Sequence, residues 1–414
     1  MKKKLAAISF ALLSSVSFAG AFAADAETKD YSEYLSGNWG GARTSLEDAG
    51  ISTEVVYKFD VMNNVSGGIK EGTRALDNLD VIFGFDGEKI VGVKGLSAKI
   101  QLLNNFGGTP DADLVGSGQG IDNIEVPQST GKLYQAVIEQ NLFEDKISLL
   151  AGLYDLNSEF YLTDSSALFI HSTFGIGTDI AQSGQNGPSI FPFTSLAGRV
   201  RVKPTEDTYV QFAVLDAVPG DVDHLNGTHI NLDENDGELW VAEAGYTPSG
   251  AKLAVGKWYY SEKFDHQTLV DSNGDPLKKH SQGAYIIGEK QVYHEQGDQG
   301  LTLFGRLGFA NGSVNQFDYA WSAGMVYTGL FPSRDEGQLG FAMTGAHNGN
   351  EFKDASFAAG TPVDSAETTF ELTYSDKITP WLAVQPDVQY LVNPGTDKTI
   401  DNALILGTRL TVNF

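Results

Sequence analysis

From Ile51 onward the chain repeats one pattern, in which apolar and polar side chains alternate over stretches of about ten residues. The final stretch shows it most plainly. Leu404, Leu406, Thr408, Leu410, Val412 and Phe414 fall on one face, and Ile405, Gly407, Arg409, Thr411 and Asn413 on the other. A period of two predicts β-strands with one apolar side. The pattern recurs over 51–64, 75–87, 95–106, 132–142, 146–157, 194–204, 207–218 and 236–247. It continues over 251–261, 280–294, 300–311, 316–330, 336–347, 366–377, 380–393 and 402–414. These are sixteen segments of the length a tilted strand needs to cross a bilayer.

The connections sharpen the prediction. After the first strand they alternate long and short: 106–132 then Phe143-Glu-Asp, 157–194 then Thr205-Glu, 218–236 then Pro248-Ser-Gly, 261–280 then Gln296-Gly-Asp-Gln. Only 311–316 is short on the long side. Long loops on one rim and tight turns on the other describe an all-β, antiparallel transmembrane barrel of about 16 strands. A secreted adhesin or structural β-protein has no reason to sort its loops this way. Aromatic residues cluster near strand ends, as in Trp258-Tyr-Tyr260, Tyr319 with Trp321, Tyr327 with Phe331, and Trp381 with Tyr390. That placement suits rings at a membrane–water interface.

The N-terminus supplies the compartment. Lys2-Lys-Lys4, the apolar run Leu5 to Phe18 and Ala21-Phe-Ala23 read as a secretory signal peptide over residues 1–23. Residues 24–50 are expected to stay in the periplasm and to carry one short helix, Ala42 to Ala49, stopped by Gly50. Residues 51–414 form the barrel. The formal charge of −25 becomes −28 once Lys2, Lys3 and Lys4 leave with the signal. So acidic a chain, with no basic cluster after the signal, is a poor nucleic-acid binder. It has no cysteine, so disulfides play no part in its export.

If the apolar faces look at lipid, their partners look at a water-filled lumen. A cation at lipid depth costs about 2–4 kcal/mol, so register sends Arg199, Arg201 and Lys203 inward. The same rule sends Lys99, Asp80, Glu371, Gln385, Asp387, Arg306 and Arg409 inward, with Glu54, Lys58, Gln101, Thr373 and Gln389 beside them. Facing acids and bases offer donors and acceptors to a neutral polyhydroxy solute. They also brace a barrel wall through mutual ion pairs, and both uses are open at each position. Arg199, Arg306 and Arg409 lie near mid-strand, where a planar guanidinium can hold two hydroxyls. The segment 157–194 carries Phe160, Tyr161, Phe169, His171 and Phe174, too apolar for a solvated loop, and is expected to fold across the pore.

Gly37-Asn-Trp-Gly-Gly-Ala-Arg43 with Leu46 and Gly50-Ile51 resembles the N-terminal signature of the carbohydrate-selective porins of the OprB family. Pro380-Trp-Leu-Ala-Val-Gln-Pro-Asp-Val-Gln-Tyr-Leu-Val-Asn-Pro-Gly395 is similar to that family's penultimate strand and loop. Phe174-Gly-Ile-Gly177, Phe191-Pro192 and Leu406-Gly-Thr-Arg409 also resemble it. The resemblance implies a sixteen-stranded barrel passing sugars or similar small polar solutes across an outer membrane, working as a monomer or a trimer. It also implies contact with lipopolysaccharide, and recognition of the last strand and Phe414 by barrel-assembly machinery. No cofactor and no metal are expected; Asp271-Ser-Asn-Gly-Asp275 has only part of a calcium-loop rhythm. A general, non-selective porin is one alternative. A barrel hydrolase is another, with His171 and Ser165 or Ser166 as its only starting point.

Overall fold

The computed structural model describes residues 30–414, so the expected signal peptide and the next six residues lie outside the described part. Sixteen antiparallel strands close on themselves: β1 Ile51–Gly68, β2 Gly72–Asp86, β3 Leu96–Gly107, β4 Thr130–Leu142, β5 Ile147–Tyr154, β6 Ser195–Thr205, β7 Thr208–Asp216 and β8 Glu238–Tyr246. The circuit continues through β9 Ala251–Val270, β10 Pro276–His294, β11 Gly300–Ala310, β12 Phe317–Thr328, β13 Gln338–Asn348, β14 Ala366–Thr379, β15 Leu382–Val392 and β16 Asp401–Asn413. Each strand pairs with its neighbours in sequence, and β16 returns to β1 with Asp60 opposite Arg409. Closure leaves no unpaired edge, the condition for a sheet to sit in lipid.

Alternation behaves as the sequence predicts. Ile405, Gly407, Arg409 and Thr411 are buried inside, while Leu406 points out and is 45% exposed. All fourteen of the charged and amide residues named above as lumen candidates lie on the inward face. The aromatic reading needs correction at one cluster. Trp258 and Tyr260 are fully buried in the barrel interior, and only Tyr259 of that trio faces outward. Residues 258 and 260 share a parity, so one face receives both rings, and here it is the face that an infolded loop covers.

The long-loop rim is also corrected at one place. The expected long loop 261–280 is instead an extended hairpin, because β9 continues to Val270 and β10 starts at Pro276. Its arms stay paired above the wall, with Lys278 and Asp265 bridged at 2.8 Å. At its tip the Asp271 carboxylate accepts the main-chain N–H of Asn273 (2.7 Å) and of Asp275 (3.1 Å). That contact folds a turn of the kind aspartate favours.

On the tight-turn rim, helix α1 (Ala42–Asp48) packs under the seam between β1 and β16. It stops at Gly50, whose φ of +90° suits glycine and whose missing Cβ leaves room for Lys89. Arg43 of α1 is buried and donates to the main-chain oxygen of Phe414 at 2.6 Å. Its guanidinium lies 3.9 Å from the Tyr34 ring centre and 4.4 Å from that of Trp39. Leu35 N–H donates to the Asn413 carbonyl at 2.7 Å, so the N-terminal segment clasps the end of the last strand.

Candidate functional site

Two long-rim segments fold into the barrel, and the wall holds them mainly by their backbones. The larger is 155–194, between β5 and β6. Glu243 on β8 accepts the N–H of Tyr161 (2.9 Å) and the hydroxyls of Tyr209 and Tyr285 (2.7 Å each). Glu289 on β10 accepts the N–H groups of Asp164 and Ser165 at 2.9 Å each. Glu371 on β14 accepts those of Ile170 (2.7 Å) and His171 (3.0 Å). Gln385 on β15 donates to the Leu168 carbonyl at 2.7 Å. Arg306 on β11 fills its fork with Thr163 Oγ1 (2.8 Å), the Thr173 carbonyl (3.3 Å) and Ser166 Oγ. Glu243 and Glu371 thus meet buried N–H donors that would otherwise have no partner, and Glu289 ties down a more exposed turn of the loop.

Apolar packing completes the seat. Tyr161 stacks on Tyr285 with ring centres 4.0 Å apart, beside Trp258 and Tyr260. Phe169 and Phe174 pack on Phe304. Gly308 on β11 is required here, since a Cβ would stand 2.2 Å from Asp179 Oδ1.

The second segment, 108–129, lies between β3 and β4, and no sequence period marks it as infolded. Glu367 on β14 accepts Ser117 Oγ (2.6 Å) and Gly118 N–H (2.8 Å), and Gln389 on β15 donates to the Ile121 carbonyl (2.9 Å). Arg409 joins wall to loop. It pairs with Asp60 at 2.5 Å and with Asp122 at 3.3 Å, and donates to Asn123 Oδ1 at 2.8 Å.

The loops pack against β8–β15, and two cavities remain along β1–β6. The upper one, of about 310 Å³, is walled by Glu54, Lys58, Asp80, Lys99, Gln101 and Gln135 on the strands. Asn123, Phe169 and Phe191 face them from the loops, and Gln385 and Arg409 reach the margin. The wall side is pre-aligned: Gln135 donates to Gln101 (2.8 Å), and Gln101 to Asp80 (2.8 Å). Asn78 donates to the other Asp80 oxygen at 2.6 Å. Among the described residues Lys58 makes no side-chain hydrogen bond or ion pair, and the carboxylates of Asp80, Asp60 and Asp122 and the Arg409 guanidinium act on its charge.

Toward the tight-turn rim a smaller cavity is lined by Lys99, Glu139, Glu159, Arg199, Arg201 and Lys203. Arg199 is fixed there by Glu139 (3.0 Å) and Glu159 (2.9 Å). Arg201 stands 3.7 Å from Glu159 and lies over the Tyr209 ring at 4.5 Å.

The structure therefore sorts the predicted residues into three sets. Asp80, Lys99, Gln385 and Arg409 border the upper cavity, and Lys99, Arg199, Arg201 and Lys203 border the lower one. Arg306 and Glu371 stand behind the loop and hold it, and Asp387 sits beside Gln389 at 3.0 Å. The sequence reading did not single out Glu243, Glu289 and Glu367. All three occupy inward positions that alternation alone marks, as Glu243 does between Ala242 and Ala244. Asp122 carries no such signal, because an irregular loop has no period.

The serine–histidine reading finds no geometry. Ser165 Oγ donates to Glu289 at 2.6 Å, and Ser166 Oγ lies 2.8 Å from the Phe174 carbonyl and 3.0 Å from that of Thr163, its one proton going to either. His171 is fully buried, its Nδ1 engaged with Thr173 Oγ1 at 2.9 Å, and burial pushes its pKa down to about 3. Neither hydroxyl meets the imidazole.

An apolar-coated barrel with a polar bore narrowed by its own loops is a membrane channel of the porin class. The carbohydrate-selective porin, OprB family, matches residues 70–414, and the chain belongs to that family. Its setting is accordingly the outer membrane. Porin B of Pseudomonas aeruginosa is 24% identical over 421 residues, covering 92% of each chain. The putative porin QuiX of Acinetobacter baylyi is 23% identical over 426 residues, covering 92% of this chain and 93% of its own. The high-pH structure of Pseudomonas putida OprB superposes with a TM-score of 0.83 at 23% identity, over 94% of this chain and all of that one. Its low-pH structure superposes at 0.60 and 20% identity, with the same coverage. These structures are similar in fold.

Proposed function

We propose that this sugar porin selects its solute in the upper cavity, between the Lys58–Asp80–Gln101–Gln135 wall and the loop face at Asn123 and Phe191. The carrying observation is that Asp80, Gln101 and Gln135 are already aligned by one another while the neighbouring Lys58 ammonium has no hydrogen-bond partner among the described residues. A sugar hydroxyl entering there meets fixed acceptors and one available cation. Net gains per contact are about 1 kcal/mol, weak enough for release as well as entry. Arg199, Arg306 and Arg409 have donors occupied by protein groups, which supports a bracing role for them. The serines and His171 are structural in this reading, and the parent protein should hydrolyse neither esters nor phospholipids.

Planar-bilayer recordings titrated with glucose test the site. Lys58→Gln should weaken sugar block of the ion current about threefold to tenfold while leaving open-channel conductance within about twofold. Unchanged block in Lys58→Gln, with block lost in Arg306→Lys, would move the contact to the arginines. Equal passage of sugars and unrelated polar solutes of the same size would favour a general pore.

A further inference from the structure

Outward positions along the wall are apolar through the middle of the strands, and charged side chains gather at the ends. Asp216 closes β7, Glu238 opens β8, and Lys290 pairs with Ala251 at the start of β9. Lys257 stands apart from these. It pairs with Ala242, the middle residue of the nine-residue β8, and with Ala284 on β10. Its neighbour Trp258 is buried inside, whereas Val255, two residues away, is 51% exposed, so Lys257 points out of the barrel. Alanines on both flanking strands leave its stem uncovered, and no described residue bonds or pairs with its ammonium. A bare cation at this depth is costly in hydrocarbon.

Two features lie on either side of it along the same face. Toward the long-loop rim, Tyr259 pairs with Trp240, which is 44% exposed and edge-on to Phe212. Such rings mark the headgroup boundary, and a lysine stem can carry its charge up to that level. In the other direction Leu253 pairs with Gly288, and Gly288 with Gly305. These glycines are not demanded by packing. A Cβ on Gly288 would approach nothing closer than 3.4 Å, and one on Gly305 nothing closer than 3.9 Å. Their bareness opens a furrow of about 440 Å³ beside Tyr246, Leu253 and Leu303, which ends at Pro248, Ala251 and the outward Lys290 on the tight-turn side. It begins four residues from Lys257, roughly 13 Å along the strand.

We propose that Lys257 and the Gly288–Gly305 furrow seat one phosphate-bearing lipid from the leaflet on the long-loop side. The phosphate pairs with the lysine ammonium beside Trp240 and Tyr259, and an acyl chain lies in the furrow. A second copy of the chain pressing this same wall fits less well, since it would need an outward acid beside Lys257. Asp216 and Glu238, acids of this wall, sit at strand ends instead.

Native mass spectrometry of the full-length barrel, stripped of lipid in neutral detergent, tests this. The titrants are dimyristoyl phosphatidic acid and, separately, dimyristoyl glycerol, which lacks the phosphate. The parent should retain one phosphatidic acid and little diacylglycerol. Lys257→Gln should weaken that retention about tenfold, and Lys257→Arg should keep it. Gly305→Leu, which fills the furrow, should also weaken it, with all variants keeping the folded gel mobility. Equal retention by parent and Lys257→Gln, or equal retention of the two lipids, overturns the seat. So does a parent that runs as a multimer which Lys257→Gln dissociates, since that face then belongs to a second copy.

Discussion

Arg409 and Arg306 show how similar inward positions diverge. Alternation sends both to the inward face of the wall. Which partner each meets depends on loops that come from elsewhere in the chain, and no local pattern encodes that. Arg409 bridges two buried carboxylates, Asp60 and Asp122. Arg409→Ala should therefore destabilise the barrel by about 3–5 kcal/mol, because it leaves buried acids unpaired. Denaturant unfolding followed by tryptophan fluorescence, with refolding into lipid vesicles as the reverse limb, gives the value. Arg306 faces hydroxyls and a carbonyl instead of acids. Lysine cannot span those three acceptors, so Arg306→Lys should loosen residues 163–173. We expect noisier and higher single-channel conductance with sugar block largely kept. A quiet channel of parental conductance would show that Arg306 does not hold the loop.

At the scale of elements, the sixteen strands were legible because each carries its own period of two. Three features were not. The arms of the β9–β10 hairpin beyond Tyr260 and before His280 are charged on both faces, so they carry no lipid signature and read as loop. The infolding of 108–129 depends on Glu367, Gln389 and Arg409, more than 200 residues away in sequence, and is invisible locally. Trp258 and Tyr260 read as interface rings because aromatic residues suit an interface and a packed interior equally. The N-terminal helix was legible from its glycine stop, but its grip on β16 was not. That grip predicts a local effect. Arg43→Ala should speed amide exchange near the seam, over residues 55–60 and 409–413, by about tenfold or more, with β8 and β9 unchanged. Uniform exchange across the barrel would make the helix a passive attachment.

For the whole molecule, continuous pairing around the barrel predicts a cooperative, slow-unfolding unit. Unheated and boiled samples should migrate differently in detergent gels, and identical mobility would count against a closed barrel. Phe414 enters this circuit through its N–H, which donates to the Val55 carbonyl at 2.9 Å, and through the oxygen that Arg43 holds. Deleting Phe414 should reduce the amount of inserted protein while leaving the conductance of each channel that does form unchanged. Finally, the wall grips its larger infolded segment mostly at main-chain N–H and C=O groups, through Glu243, Glu289, Glu371 and Gln385. Main-chain groups are the same whatever side chain a residue carries. The path of the loop is thereby decoupled from much of its composition. Mutational drift at its bore-facing positions can retune what passes without rebuilding the scaffold, so channels of this shape can diverge in diet faster than in architecture.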